Sequence, residues 1–132
     1  MTGSESVKRL TVAQLRDGLL RGEFNCLEIV EAYLAATEKS RGLGGYITET
    51  PEIARKQALE SNFKLSEDKA GALEGIPVAV KDLFCTKGVR TTAASKMLGN
   101  FIPTYESRVT ERLWNDGAIL MGKANMDEFA MG

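Results

Sequence analysis

Gly75-Ile76-Pro77-Val78-Ala79-Val80-Lys81-Asp82-Leu83-Phe84 is the stretch on which the reading of this chain turns. From Ile76 to Val80 no side chain carries a polar atom. A short apolar run rich in β-branched residues, entered through a glycine, reads as a buried strand. Lys81 stands at or just past its end. A lysine there has two resting places. It can snorkel to water with its stem laid along apolar surface, or stay in a partly dry pocket where desolvation penalises the charged form. A free lysine titrates near ~10.4, so a lysine serving as a general base near neutral pH needs the second environment. Asp82 follows and points to the opposite face of the strand, where it reads as a structural group that caps a turn.

Downstream, Asp82 to Tyr105 is long and turn-rich, with Gly88, Gly99 and Pro103. Long ordered loops of this kind are often functional. Thr91, Thr92 and Ser95 form a hydroxyl cluster within it. They serve either as turn caps or as hydrogen-bonding groups of a pocket, and are weak candidates for substrate binding. Glu106-Ser107-Arg108-Val109 starts a helix capped by Ser107 or a neighbour, in which Val109 and Leu113 pair at four residues, and Asp116-Gly117 stops it. Ala118-Ile119-Leu120-Met121 is a second short buried strand. Strand, helical connection and strand predict a parallel α/β unit with a right-handed crossover. Asn125 is expected to cap a further helix to Met131, with Asp127 and Glu128 as first-turn carboxylates. Met97, Met121, Met126 and Met131 read as core packing, and Tyr105 and Trp114 as core or interface aromatics.

Upstream, residues 1 to 9 read as a polar lead-in. Thr11 with Gln14 is a capping box, with Val12, Leu15 and Leu19 on one face and Gly22 at the end. Asn25 with Glu28 opens a second helix carrying Leu27, Ile29, Val30, Tyr33 and Leu34. Tyr46-Ile47-Thr48 is a strand candidate. Thr50-Pro51 is a cap before a favoured first helical residue, opening a helix to about Lys64 with Ile53, Ala54, Ala58, Leu59 and Phe63 apolar. Ser66 to Lys69 reads as an exposed loop.

The 132 residues suffice for one domain with a modest core, and 43% apolar with 27% charged residues places the chain among soluble globular proteins. The formal charge is −1, with no basic block that marks a nucleic-acid surface. Histidine is absent, which removes Ser-His-Asp and Cys-His catalysis from these residues and speaks against a zinc site. Cys26 and Cys85 read as reduced thiols without metal spacing. There is no apolar run approaching the ~20 residues of a membrane span and no signal-peptide pattern at Met1 to Leu10, so the expected compartment is the cytoplasm.

Three blocks occur in order: Gly75 to Asp82, Thr91-Thr92-Ala93-Ala94-Ser95-Lys96-Met97-Leu98, and Gly122-Lys123-Ala124-Asn125-Met126-Asp127-Glu128-Phe129-Ala130-Met131-Gly132. Together they resemble the amidase signature family, strongly from Gly75 onward and more in pattern than in wording before it. The branch they resemble is that of the tRNA-dependent amidotransferases. The resemblance implies an α/β fold with a mixed, mostly parallel sheet flanked by helices. This chain would form its N-terminal portion: a helical region over 1–70 and the start of the signature core over 71–132. It also implies a Ser–Ser–Lys triad in which Lys81 is the base, with both serines beyond Gly132. The chain alone is therefore expected to be inactive. The implied reaction is glutamine hydrolysis, with ammonia passed to partner subunits B and C and on to glutamate carried by tRNA(Gln). ATP and magnesium serve the complete complex, and no metal is expected on this chain. Two other readings stay open: a different amidase signature hydrolase, and a non-catalytic fragment that binds partner subunits.

Overall fold

The computed structural model describes residues 3–132, apart from the side chain of Ser4. The lead-in reading for Met1 and Thr2 lies outside it. From Gly3 the chain is helical rather than irregular: α1 spans Gly3–Val7 and buries Val7. Next come α2 (Val12–Arg21), α3 (Cys26–Ser40), β1 (Tyr46–Glu49), α4 (Pro51–Ser66), β2 (Pro77–Lys81), α5 (Arg108–Asn115) and β3 (Ile119–Ala124), with three short 3₁₀ turns between or after them.

Local chemistry sets the helix starts. The side chain of Thr11 accepts from Gln14 N while Gln14 returns a bond to Thr11 N, and Asn25 and Glu28 repeat the arrangement. Each pair satisfies two of the amide donors that a helix start leaves without partners. Ser107 accepts from Thr110 N at the start of α5. Thr50 departs from expectation. Its hydroxyl donates to Leu120 O at 3.0 Å, so it fastens the start of α4 to the sheet rather than capping the helix.

The sheet has the order β1-β3-β2. β2 runs parallel to β3 and β1 antiparallel to it, so the sheet is mixed, with one pairing of each sense. β3 is the central strand and is buried from Ile119 to Lys123. Ile119 and Met121 pack with Ile76 against Ile29 and Val30 of α3 and Ala54 and Ala58 of α4. Leu120 packs with Val80 and Val89 on a smaller second core completed by Leu113 and Trp114 of α5.

Several packing expectations need correction. The buried face of α4 is Ala54, Ala58 and Ser61, small residues that let its backbone approach α3 and β3, and this turns Leu59 and Phe63 out to solvent. Val12 and Val109 are also exposed. Met121 is a core residue, whereas Met97, on the surface turn Lys96–Leu98, and Met131, just past the turn Glu128–Ala130, are exposed. Tyr105 is exposed, and half-buried Trp114 donates its indole N–H to Glu106. No helix forms over Asn125–Met131. Phe129 and Ala130 take positive φ, which a right-handed helix cannot contain. Only the turn Glu128–Ala130 remains, and Asn125 instead donates to Gly44 O.

Candidate functional site

Two apolar runs end in lysine on neighbouring parallel strands: Val78-Ala79-Val80-Lys81 on β2 and Leu120-Met121-Gly122-Lys123 on β3. Their lysines have opposite fates. Lys81 is exposed at the C-terminal end of β2, and Lys123 is wholly buried.

The register explains the difference. Val78 pairs with Leu120 and Ala79 with Gly122, which leaves Met121 as an extra residue on β3. An inserted residue reverses the alternation of faces beyond it. Lys123 therefore shares a face with Val80, its pair, and with Leu120, rather than with Ile119 and Met121. Lys81 pairs with Ala124 on the other face, beside the small residues Ala79 and Gly122. On that side Lys81 is exposed.

Beneath the Asp82–Tyr105 loop the Nζ of Lys123 donates to Phe84 O and to Thr91 Oγ1, each at 2.8 Å. Asp82 is also wholly buried, and its Oδ1 lies 3.9 Å from that Nζ. Among the described residues Oδ1 of Asp82 is a buried side-chain oxygen without a hydrogen-bond partner. Its Oδ2 accepts from Thr92 N at 3.1 Å and from the Thr92 hydroxyl, which in turn accepts from Ala94 N. The backbone of Asp82 is held too: its N–H donates to Ala124 O and its carbonyl accepts from Ala93 N. Burial pushes the Lys123 amine below the ordinary lysine value, opposed by the negative charge of Asp82 first and then of Cys85 and Glu106.

The other candidates gather around this network. Thr91, Thr92 and Ser95 are buried. Thr91 receives the Lys123 bond and donates to Val89 O. Thr92 joins Asp82, and Ser95 accepts from Met97 N, the turn-capping reading of its hydroxyl. The loop leaves Asp82 and returns across the end of β2 through Ala93 and Ala94, both at positive φ. Phe129 N donates to Ala93 O, so the 127–132 segment closes on the same place. The amide of Gly132 holds the Asp127 carboxyl low, with its own amide next and the charge of Lys81 a smaller contributor. The three sequence blocks thus meet around the end of β2. Lys123 was missed by sequence reasoning because a lysine after four apolar residues reads as the exit of a strand. Its place inside the third block was the available signal.

The same three blocks lie within a family match. The family model described as Amidase matches residues 28–132. The chain belongs to the amidase family. Among amidase-family relatives, the A subunit of glutamyl-tRNA(Gln) amidotransferase from Xanthobacter autotrophicus is 56% identical over 124 residues, 94% of this chain and 25% of that protein. The protein of the same name from Rhodospirillum rubrum is 52% identical over all 132 residues, 26% of its length. The chain thus spans about a quarter of the curated relatives it matches. Among solved structures, native peptide amidase from Stenotrophomonas maltophilia is 29% identical with a TM-score of 0.86, over 92% of this chain and 26% of that one. A bacterial aryl acylamidase of the amidase signature enzymes, 19% identical with a TM-score of 0.81 over 91% of this chain and 26% of that one, shares the fold. No described helix is long and apolar enough to cross a membrane.

Proposed function

We propose that this chain supplies the lysine-bearing part of a glutamine-hydrolysing site, that of the A subunit of a glutamyl-tRNA(Gln) amidotransferase. The observation that carries the reading is 52% identity to the Rhodospirillum rubrum protein along the whole chain. It is well above the 29% shared with the peptide amidase, which favours the tRNA-linked enzyme over a hydrolase of other amides.

In this reading Lys81 is the base of a Ser–Ser–Lys relay. Its backbone is fixed by the β2–β3 ladder and by Asp82, and its side chain is exposed at the end of β2. In this reading the two serines lie outside residues 1–132 of the subunit and complete the pocket around the amine. Covering the amine removes water and favours its neutral form, which base catalysis needs. The ammonia released from glutamine passes to partner subunits B and C, where ATP and magnesium serve the activation of glutamate on tRNA(Gln). No three His, Cys, Asp or Glu side chains come together as a metal site among the described residues, and no step assigned to this chain runs through the metal. The proposed compartment is the cytoplasm.

The test is a chimera in which residues 1–132 replace the aligned quarter of the Rhodospirillum rubrum protein, assembled with subunits B and C. Glutamine hydrolysis is expected, with Lys81→Ala lowering kcat by roughly 10²–10⁴-fold. An assembled chimera without glutaminase activity, or an active Lys81→Ala variant, overturns the reading.

A further inference from the structure

Lys123 takes no part in the relay above, yet among the described residues it is the largest wholly buried side chain. A methionine or leucine would fill the same space without the desolvation cost of an amine. What an apolar residue could not do is gather three loop groups at once. We propose that Lys123 is a positioning residue for Lys81, acting through Asp82; the proposal rests on Lys81 being the base.

The geometry gives the route. The amine of Lys123 holds Phe84 O, two residues after Asp82, and Thr91 Oγ1, the residue before Thr92. Its remaining donor faces Asp82 Oδ1 at 3.9 Å, the one oxygen of that carboxylate without a hydrogen bond. Oδ2 of the same carboxylate fixes Thr92, and through its hydroxyl Ala94 N. Both arms of the 82–94 loop are therefore drawn to one amine. Asp82 follows Lys81 directly and is bound through its N–H, its carbonyl and Oδ2, with the Lys123 charge beside Oδ1. Loosening the amine frees Asp82, and with it the backbone that aims Lys81. The titratable groups around Lys123 are Asp82 from the end of β2 and Cys85 and Glu106 from the loop. Near Lys81, from the 127–132 segment, stands Asp127, while Asp82, next in sequence, turns its carboxylate to Lys123 on the buried side.

In the chimeric complex, Lys123→Met is expected to lower kcat for glutamine roughly 10²-fold, the scale of a misplacement of about 1 Å, with KM within about twofold of the parent. Asp82→Asn is expected to do the same, and the double variant no more than either single one. Lys123→Met also leaves the Asp82 carboxylate without its counter-charge next to Lys81. That favours the charged form of Lys81, so the acid limb of kcat/KM moves to higher pH. Partial unfolding scales the profile without moving it. Thr91→Val, which keeps the shape and removes the bond from Lys123 together with the one to Val89 O, is the second variant should Lys123→Met fail to assemble; a smaller loss with the limb unmoved is expected. Amide exchange reports the clamp directly: Thr92 and Ala93 are expected to exchange faster in the Lys123 variant while Ile119 in β3 keeps its protection. Parent-like kcat and pH profile in Lys123→Met, or unchanged exchange at Thr92 in an enzyme that depends on Lys81, sinks the Lys123 assignment alone. Activity that survives Lys81→Ala sinks the underlying reading, and the positioning role with it.

Discussion

The Nζ of Lys123 and the Oδ1 of Asp82 lie 3.9 Å apart with both side chains wholly buried, one on the central strand and the other just past the end of its parallel neighbour. The pair ties the strand carrying the candidate base to the loop that crosses above it.

Removing one member strands the other. Lys123→Met is expected to destabilise the chain by ~3–5 kcal/mol, because it leaves a buried carboxylate without its counter-charge. Lys123→Met with Asp82→Asn is expected to recover part of that loss, since no bare charge remains. Urea unfolding of the two single variants and the double one measures this. Additive losses would show that the two groups act independently.

The burial of Lys123 also gives a pH dependence. Its folded value is lowered, so below the free-lysine value of ~10.4 the unfolded chain holds more protons than the folded one. Its contribution to stability therefore rises with pH between the lowered folded value and the free value. Cys26 acts in the opposite sense. Burial first, and then the charge of Glu74, pushes its thiol up from 9.0 to about 12. A value raised on folding leaves stability intact below pH 9.0 and removes it as pH climbs toward 12. Cys26→Ala is expected to flatten that alkaline fall in denaturant midpoints measured from pH 8 to 11. In the folded chain at pH 8 a thiol reagent is expected to modify half-buried Cys85 and spare Cys26. Equal reactivity of the two thiols would contradict the packing around Cys26.

Gly122 tests the close approach of β1 and β3. A Cβ there would stand 2.7 Å from the ring of Tyr46 and 2.8 Å from the carbonyl oxygen of Thr48, and the second is backbone that cannot swing aside. Gly122→Ala is expected to cost ~1–3 kcal/mol. Gly42, with nothing within 4 Å of its notional Cβ, is the control. Gly42→Ala is expected to be neutral or stabilising by up to ~1 kcal/mol through the unfolded chain. Paired thermal melts decide it, and a harmless Gly122→Ala would mean the strands are farther apart than described.

Thr50 separates capping from cross-bracing. Its hydroxyl reaches Leu120 O across the sheet, so Thr50→Val is expected to lose ~0.5–1.5 kcal/mol and Thr50→Ser to keep most of it. Asn, a strong cap by nature, is expected to do no better than Val. Stabilisation by Thr50→Asn would restore the capping role read from the sequence.

Much of this fold could be read from local chemistry. Thr11 with Gln14, Asn25 with Glu28, and Ser107 act within one helical turn, so their patterns survive without knowledge of the rest of the molecule. The strand into Lys81 was legible because its apolar run is continuous. Lys123 was not legible as a buried group. Its burial depends on the extra residue Met121, whose effect exists only once β3 is aligned with β2. The Asn125–Met131 segment was misread for a related reason. Its caps and carboxylates suit a helix, but Phe129 is bound to Ala93, a residue far back in the chain. The exposed Leu59 and Phe63 show a third limit, because small residues rather than large ones mark the inner face of α4.

The strand order sets a timetable for synthesis. β1 and β2 do not pair with each other, and both pair with β3, which is translated after them. A nascent chain can form its capped helices as they emerge, yet it has no sheet until Ile119–Ala124 clear the ribosome. Until then two strands wait with open hydrogen-bonding edges, the state most prone to pairing with other chains. The helix-rich first half is thus asked to hold an unfinished sheet in check.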